Sequence, residues 1–200
     1  MSLADKLRAS LDSSRDRETI LLESDFRDSQ IPENQTTFDA AVLIPVVDRL
    51  KPTIILTTRT ETMRNHAGQV AFPGGRIDTK DDGPIGAALR EAEEEIALPR
   101  DRVEIIGVTD SYRTVTGFHV TPVLGVIPPG LLLSPHDAEV ADIFEVPLEF
   151  LIEPGNHVEQ SIEFQGRNRT YVEMHYKGRR IWGATAAMIV NLGRRLAYHR

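Results

Sequence analysis

The sequence predicts a single domain of the α/β class, built on a mixed sheet. Three observations carry this. The chain has 200 residues, 40% of them hydrophobic, which suffices for one domain with a real core and is tight for two. Short apolar runs rich in β-branched residues recur, bounded by turn residues. Between them lie stretches with helical apolar spacing. Periodicity by itself supports alternating strands and helices, and no particular layering.

Taken in order, residues 1–35 read as a polar extension and 36–200 as the domain. Within the extension, Leu3, Leu7 and Leu11 recur every four residues, which predicts a short amphipathic helix. Phe38 to Val47 and Thr53 to Thr58 read as buried strands separated by a turn. Val103 to Thr109 and Val120 to Ile127 read the same way, and Pro128-Pro129-Gly130 ends the latter. Thr170 to Tyr176 is a further strand and Ser161 to Phe164 a weaker one. Residues 182–198 read as a closing helix, with Trp182 anchoring it in the core.

Composition narrows the function. There is no cysteine, so disulfides, zinc-thiolate sites and a cysteine nucleophile are excluded. The formal net charge is -7, which disfavours diffuse nucleic-acid binding. No apolar run approaches the ~18 residues of a membrane span, and no apolar leader core stands at the N-terminus. The expectation is a soluble cytoplasmic protein with a small-molecule substrate and neither a nucleic-acid nor a membrane partner. A homodimer stays open.

The segment LREAEEEIAL, Leu89 to Leu98, holds four glutamates in five positions. Like charges three or four apart on a helix repel, so either this is a solvated face or a cation belongs among them. Asp82 as N-cap and Pro84 in the first turn predict the helix start. Ile85, Ala88, Leu89, Ala92 and Ile96 form its core stripe. At about 100° per residue, Glu91, Glu94 and Glu95 share one arc beside that stripe, and Glu93 points to solvent. Arg90, four before Glu94, can pair with it. Upstream, Phe72-Pro73-Gly74-Gly75 lets backbone approach a ligand closely. Three carboxylates beside a glycine turn suit a divalent metal such as Mg²⁺.

Gly75, followed by Arg90-Glu91-Ala92-Glu93-Glu94-Glu95-Ile96-Ala97-Leu98, resembles the Nudix box, G-x5-E-x7-R-E-U-x-E-E-x-G-U with U apolar. There are two departures. Ala97 replaces the second glycine, and the span from Gly75 to Arg90 is one residue longer, with Asp82 where the first glutamate would fall. Asp82 is not taken as a ligand. Ahead of the box, Ile55-Leu56-Thr57-Thr58-Arg59-Thr60, then Arg64, Gly68 and Phe72-Pro73-Gly74-Gly75, resemble the motif of the CoA-pyrophosphatase branch. Ile55 and Thr60 are its departures. The two motifs span residues 55–98.

The resemblance implies a Nudix-type α/β/α sandwich and metal-dependent hydrolysis of the CoA diphosphate, with Mg²⁺ or Mn²⁺ as cofactor. By position it implies Glu91, Glu94 and Glu95 as metal ligands and Arg90 as the residue orienting them. It implies a general base outside the box, for which Glu139 stands in the right pattern. Arg59 and Arg64 would contact phosphate, and Gly68, Phe72, Gly74 and Gly75 would line the substrate site. His66, Tyr112 and Arg113 are weaker candidates. Two other readings stay open: a Nudix hydrolase of ADP-ribose or NADH, since fold and box do not fix the substrate, and a non-catalytic nucleotide sensor.

Overall fold

The computed structural model describes residues 1–14, 37–62, 66–114, 116–164 and 167–196. An eight-stranded mixed sheet forms its centre. In chain order the strands are β1 (Phe38–Val47), β2 (Thr53–Arg59), β3 (Val70–Ala71), β4 (Gly74–Arg76), β5 (Glu104–Val108), β6 (Tyr112–Arg113), β7 (Phe118–Ile127) and β8 (Val140–Pro147). A second sheet joins β9 (Val158–Phe164), β10 (Arg167–Tyr176) and β11 (Arg179–Trp182) in the order β11-β10-β9. The helices are α1 (Leu3–Ser13), α2 (Gly83–Ile96), α3 (Leu148–Ile152) and α4 (Gly183–Leu196).

β1 lies at the middle and runs parallel to β7, in register from Phe38↔Phe118 to Val47↔Ile127. Its other edge is divided. Ala40 to Val42 pair with β4, whereas Val46 and Val47 pair with β2. Pro45 sits in the gap between these partners. The Leu43 N–H reaches the Pro73 carbonyl at 2.8 Å, and position 45, two residues on, faces the same edge. A proline there removes a donor that neither strand could use. The divided edge leaves room for the Phe72–Gly75 turn to enter the sheet.

Alternating side chains put apolar groups on both sheet faces. Ala41, Leu43, Ile55 and Val123 pack with Ala87, Ala88, Ala92 and Ile96 of α2. Ile44, Leu56 and Leu124 on the other face pack with α1, α3, α4 and the small sheet. Two helical layers thus enclose the sheet, the expected sandwich. Alanines at the α2 contact let the helix lie close to the strands, which brings its carboxylates down to the backbone of β4.

α1 belongs to the same core: Ala4, Leu7 and Leu11 are buried in it. Ser2 and Asp5 close a capping box at its start. The closing helix begins at Gly183, one residue later than expected, and its described part ends at Leu196. Strand β8, absent from the sequence reading, pairs along almost all of β2. Two features of α2 differ from expectation. Asp82 makes no side-chain capping bond, and Ile85 is 38% exposed. The buried face runs through Ala87, Ala88, Ala92, Glu95 and Ile96, so it is rotated to take Glu95 inside. Trp182 is half-buried and edge-on to Tyr171 at 5.7 Å, away from the core it was expected to anchor. Among the described residues, no helix is long and apolar enough to cross a membrane.

Candidate active site

The last two turns of α2 face the Gly74–Gly75 turn, and that meeting gathers the charge. Glu95 is only 4% exposed. Its Oε2 accepts the Gly74 N–H at 3.1 Å, and its Oε1 lies 3.8 Å from Arg59 Nη1. Glu91 is half-buried, with its carboxylate over Gly75: a Cβ on Gly75 would stand 2.5 Å from Glu91 Oε1. A Cβ on Gly74 would stand 2.4 Å from the Ala41 carbonyl. Both glycines are therefore required by close approach, one to a strand and one to a carboxylate.

Arg90 is the fastening of the site. It donates to Glu91 Oε1 at 2.9 Å, Glu94 Oε2 at 3.1 Å and the Arg76 carbonyl at 3.0 Å. It also makes a two-pronged pair with Asp81, at 2.8 and 3.0 Å. Such forked pairs fix orientation as well as charge. Asp81 also accepts the Asp78 N–H at 2.7 Å. Its bonds to Arg90, and then to that N–H, hold its carboxyl at about 2. Counting forward from Gly75 places Asp81 at the first acidic position of the box, and counting back from Arg90 places Asp82 there. The chain uses Asp81, a residue the sequence reading passed over.

The like charges remain in tension. Burial pushes Glu95 up to about 7, against the Gly74 N–H and Arg59, with the charges of Glu91 and Glu139 adding to the push. Burial also raises Glu91, opposed by Arg90 and reinforced by Glu94 and Glu139. Glu139 is thus an electrostatic neighbour of the cluster. It stands immediately before β8, half-buried, and its carbonyl accepts the Thr60 N–H at 3.0 Å. The segment before it is tied to the end of α2: Ser134 and His136 donate to the carbonyls of Ile96 and Glu95 at 3.1 and 2.9 Å. Those bonds bring Glu139 to the site from over forty residues away in sequence.

The other expected residues divide. Glu93 points outward and pairs with Arg100 at 2.6 Å. Glu94 is 59% exposed at its side chain. Arg59 Nε is buried and lacks a hydrogen-bond partner among the described residues. Gly68 lies beside Arg59, donating to its carbonyl at 3.2 Å, with φ of 67°. Phe72 is 3% exposed and packs in the core, so its side chain fills space and offers nothing to a ligand. Arg64 lies outside the described residues. His66 bonds Gln69 locally at 2.9 Å. Tyr112 and Arg113 form β6 alongside β7, and Tyr112 packs on the core.

Carboxylates are hard oxygen donors, the set that Mg²⁺ and Mn²⁺ take. Among the described residues no three acidic or imidazole groups close on a common point. Arg90 holds Glu91 and Glu94, and the Gly74 N–H holds Glu95. The burial and like charge that raise Glu91 and Glu95 against their partners are nonetheless the condition a cation relieves, so the donor set fits one.

A family model for the NUDIX domain matches residues 37–165. The chain belongs to the Nudix family. It is 47% identical over 153 residues to an uncharacterised Nudix hydrolase, NudL, of Citrobacter koseri, covering 76% of this chain and 80% of that one. It is 43% identical over 157 residues to the NudL of Photorhabdus laumondii, covering 78% and 84%. In three dimensions it is similar to a MutT/nudix family protein from Enterococcus faecalis, with a TM-score of 0.53 and 15% identity, over 98% of this chain and 75% of that one. That likeness shows the fold. The protein is a Nudix hydrolase, an enzyme of the pyrophosphatase type.

Proposed function

We propose that this Nudix hydrolase cleaves the diphosphate of coenzyme A, and of acyl-CoA or oxidised CoA, to 3',5'-ADP and a 4'-phosphopantetheine product. The observation that carries the reading is the spacing of Arg59, Arg64, Gly68 and Phe72–Gly75 ahead of the box. The ends of that motif, Arg59 and Gly74–Gly75, border the carboxylates of α2.

Glu91, Glu94 and Glu95 would hold Mg²⁺ or Mn²⁺. When bound, the cation neutralises diphosphate oxygens and lowers the pKa of a bound water. Arg90 holds Glu91 and Glu94 in place, with Asp81 fixing Arg90 in turn. Glu139 takes the proton of the attacking water. Arg59, with donors to spare, pairs with a phosphate oxygen, and Arg64 supplies a second guanidinium. Gly74 and Gly75 keep the backbone low enough for the diphosphate to approach. The protein acts in the cytoplasm on a small-molecule substrate.

The test is mass spectrometry of products after incubation with CoA, ADP-ribose and NADH, each with and without Mg²⁺ or Mn²⁺. Metal-dependent 3',5'-ADP from CoA, well ahead of the other two, is expected. Turnover of ADP-ribose or NADH alone overturns the CoA assignment and keeps the hydrolase.

A further inference from the structure

On the face of the sheet opposite α2 lies a cleft of about 720 Å³ that the carboxylate site does not use. Its walls are Thr58, Gly68 and neighbouring backbone on one side, and the β10–β11 hairpin on the other. Lys177, Arg179 and Arg180 line it, against the single carboxylate of Asp142. With Asp142 and Glu173 paired to the two arginines, one positive charge is left over, in a chain of net charge -7, and a concave positive site concentrates anions.

The two arginines are pre-set. Arg179 pairs with Asp142 and lies over the Phe144 ring at 4.3 Å. Arg180 donates to Glu173 at 2.7 Å and to the Tyr171 hydroxyl at 2.8 Å, with its guanidinium 4.7 Å from the Trp182 ring. Each pairing uses part of a five-donor fork and leaves N–H groups over. Lys177, at the hairpin tip with φ of 47°, has no ion-pair partner among the described residues. Guanidinium forks and an ammonium together suit the oxygens of a phosphate monoester.

The cleft also has a definite relation to the carboxylates. Thr58 lines it and the next residue, Arg59, reaches Glu95. Successive strand residues face opposite sides, so the two sites lie on either side of the end of β2. A ligand with its diphosphate at Glu91 and Glu95 and a second phosphate in the cleft would have to pass over that strand end.

We infer that the cleft, with Lys177, whose ammonium lies over the Tyr176 ring at 5.3 Å, and with Arg179 and Arg180 beside it, receives a phosphate monoester on the ribose of the substrate. It would thereby select nucleotides carrying that third phosphate over plain dinucleotides. This rests on the CoA reading, since CoA carries such a group at its 3' position and NADH and ADP-ribose carry none.

The experiment compares kcat/KM for CoA and 3'-dephospho-CoA in the wild type, Lys177→Asn and Lys177→Arg. Asparagine tolerates the positive φ at this position, and melting curves check that each variant folds. The wild type is expected to favour CoA by about tenfold or more, mainly through KM. Lys177→Asn should bring that ratio towards one, and Lys177→Arg should restore most of it. A wild type indifferent to the 3'-phosphate, or a ratio that Lys177→Asn leaves alone, overturns the inference. If neither compound is cleaved, the CoA reading falls. The cleft is then judged by calorimetry with 3',5'-ADP and 5'-AMP: tighter binding of 3',5'-ADP that Lys177→Asn abolishes keeps it, and equal affinities reject it.

Discussion

At the carboxylate site, Glu91, Glu94 and Glu95 come from two turns of one helix, and a single arginine, Arg90, balances two of them. In the cleft across the sheet, Arg179 and Arg180 each have a carboxylate from a different strand position, Asp142 and Glu173, and an aromatic ring beneath. One region keeps its charges in opposition, and the other settles most of its own. The difference teaches where a ligand contributes most. Glu91 and Glu95 are raised mainly by burial, with neighbouring carboxylates adding to it and Arg90, the Gly74 N–H and Arg59 only partly offsetting it, so a cation held there would add binding and stability together. The cleft needs no ligand to hold its shape.

The largest effect should come from removing the proposed base. Glu139→Gln keeps size and hydrogen bonding, and is expected to lower kcat about a hundredfold or more. It should also let Glu91 and Glu95 ionise more readily, because one opposing charge has gone. Near-normal turnover in this variant would move the base elsewhere. Asp81→Asn comes next. It unties one prong of the support for Arg90, and kcat should fall by about ten- to a hundredfold, with KM changing much less. A change confined to stability would make Asp81 a surface tie only.

Gly75→Ala sharpens the comparison from the backbone side. The new Cβ meets the end of a flexible glutamate, so the chain should fold while Glu91 is displaced. A drop of about tenfold in kcat with little change in melting temperature is expected. Unchanged activity would show that Glu91 has room to move.

The pH dependence probes the opposition directly. The folded protein holds the Glu95 proton to about 7, against an ordinary value of 4.5. Its contribution to stability is therefore fully present below about 4.5 and is lost as pH rises through about 7, by up to about 3 kcal/mol. Metal-free protein should melt at a lower temperature at pH 8 than at pH 5, and Mg²⁺ should raise the melting temperature more at pH 8. Equal melting at the two pH values would mean the repulsion is relieved by other groups. The smallest effect belongs to Ala97, exposed at the end of α2 in the left-handed conformation, with φ of 54°. Ala97→Gly removes about 1–2 kcal/mol of strain and returns about 0.5–1 as chain flexibility. A net gain of up to about 1.5 kcal/mol in urea unfolding is expected.

Much of the carboxylate site was legible in sequence because a helix converts spacing directly into direction. Glu91, Glu94 and Glu95 share an arc, Glu93 leaves it, and Arg90 reaches Glu94, all from 100° per residue. The need for glycine at 74 and 75 was visible as a residue type, although what crowds them, the Ala41 carbonyl and the Glu91 carboxylate, was not. Asp81 was missed because a one-residue insertion made two counts of the same pattern disagree, and only the bonds to Arg90 decide between them. Strand β8 was missed because its alternation is broken by Asp142 and Glu145, whose partners, Arg179 and Arg49, are distant in sequence.

By itself, then, the sequence determined the class of fold, the face of α2 that carries acid and the residue types at the turn opposite. Each of these follows from short-range geometry, where a fixed rise and rotation per residue leave few choices. Tertiary structure alone decided that Glu139 joins the cluster, that Phe72 is core, and that Lys177, Arg179 and Arg180 share a cleft with Thr58 and Gly68. Those groups lie far apart along the chain, and their meeting depends on sheet order and on the division of β1 at Pro45. No local spacing encodes that, because the energy that sets it comes from burying side chains far apart along the chain.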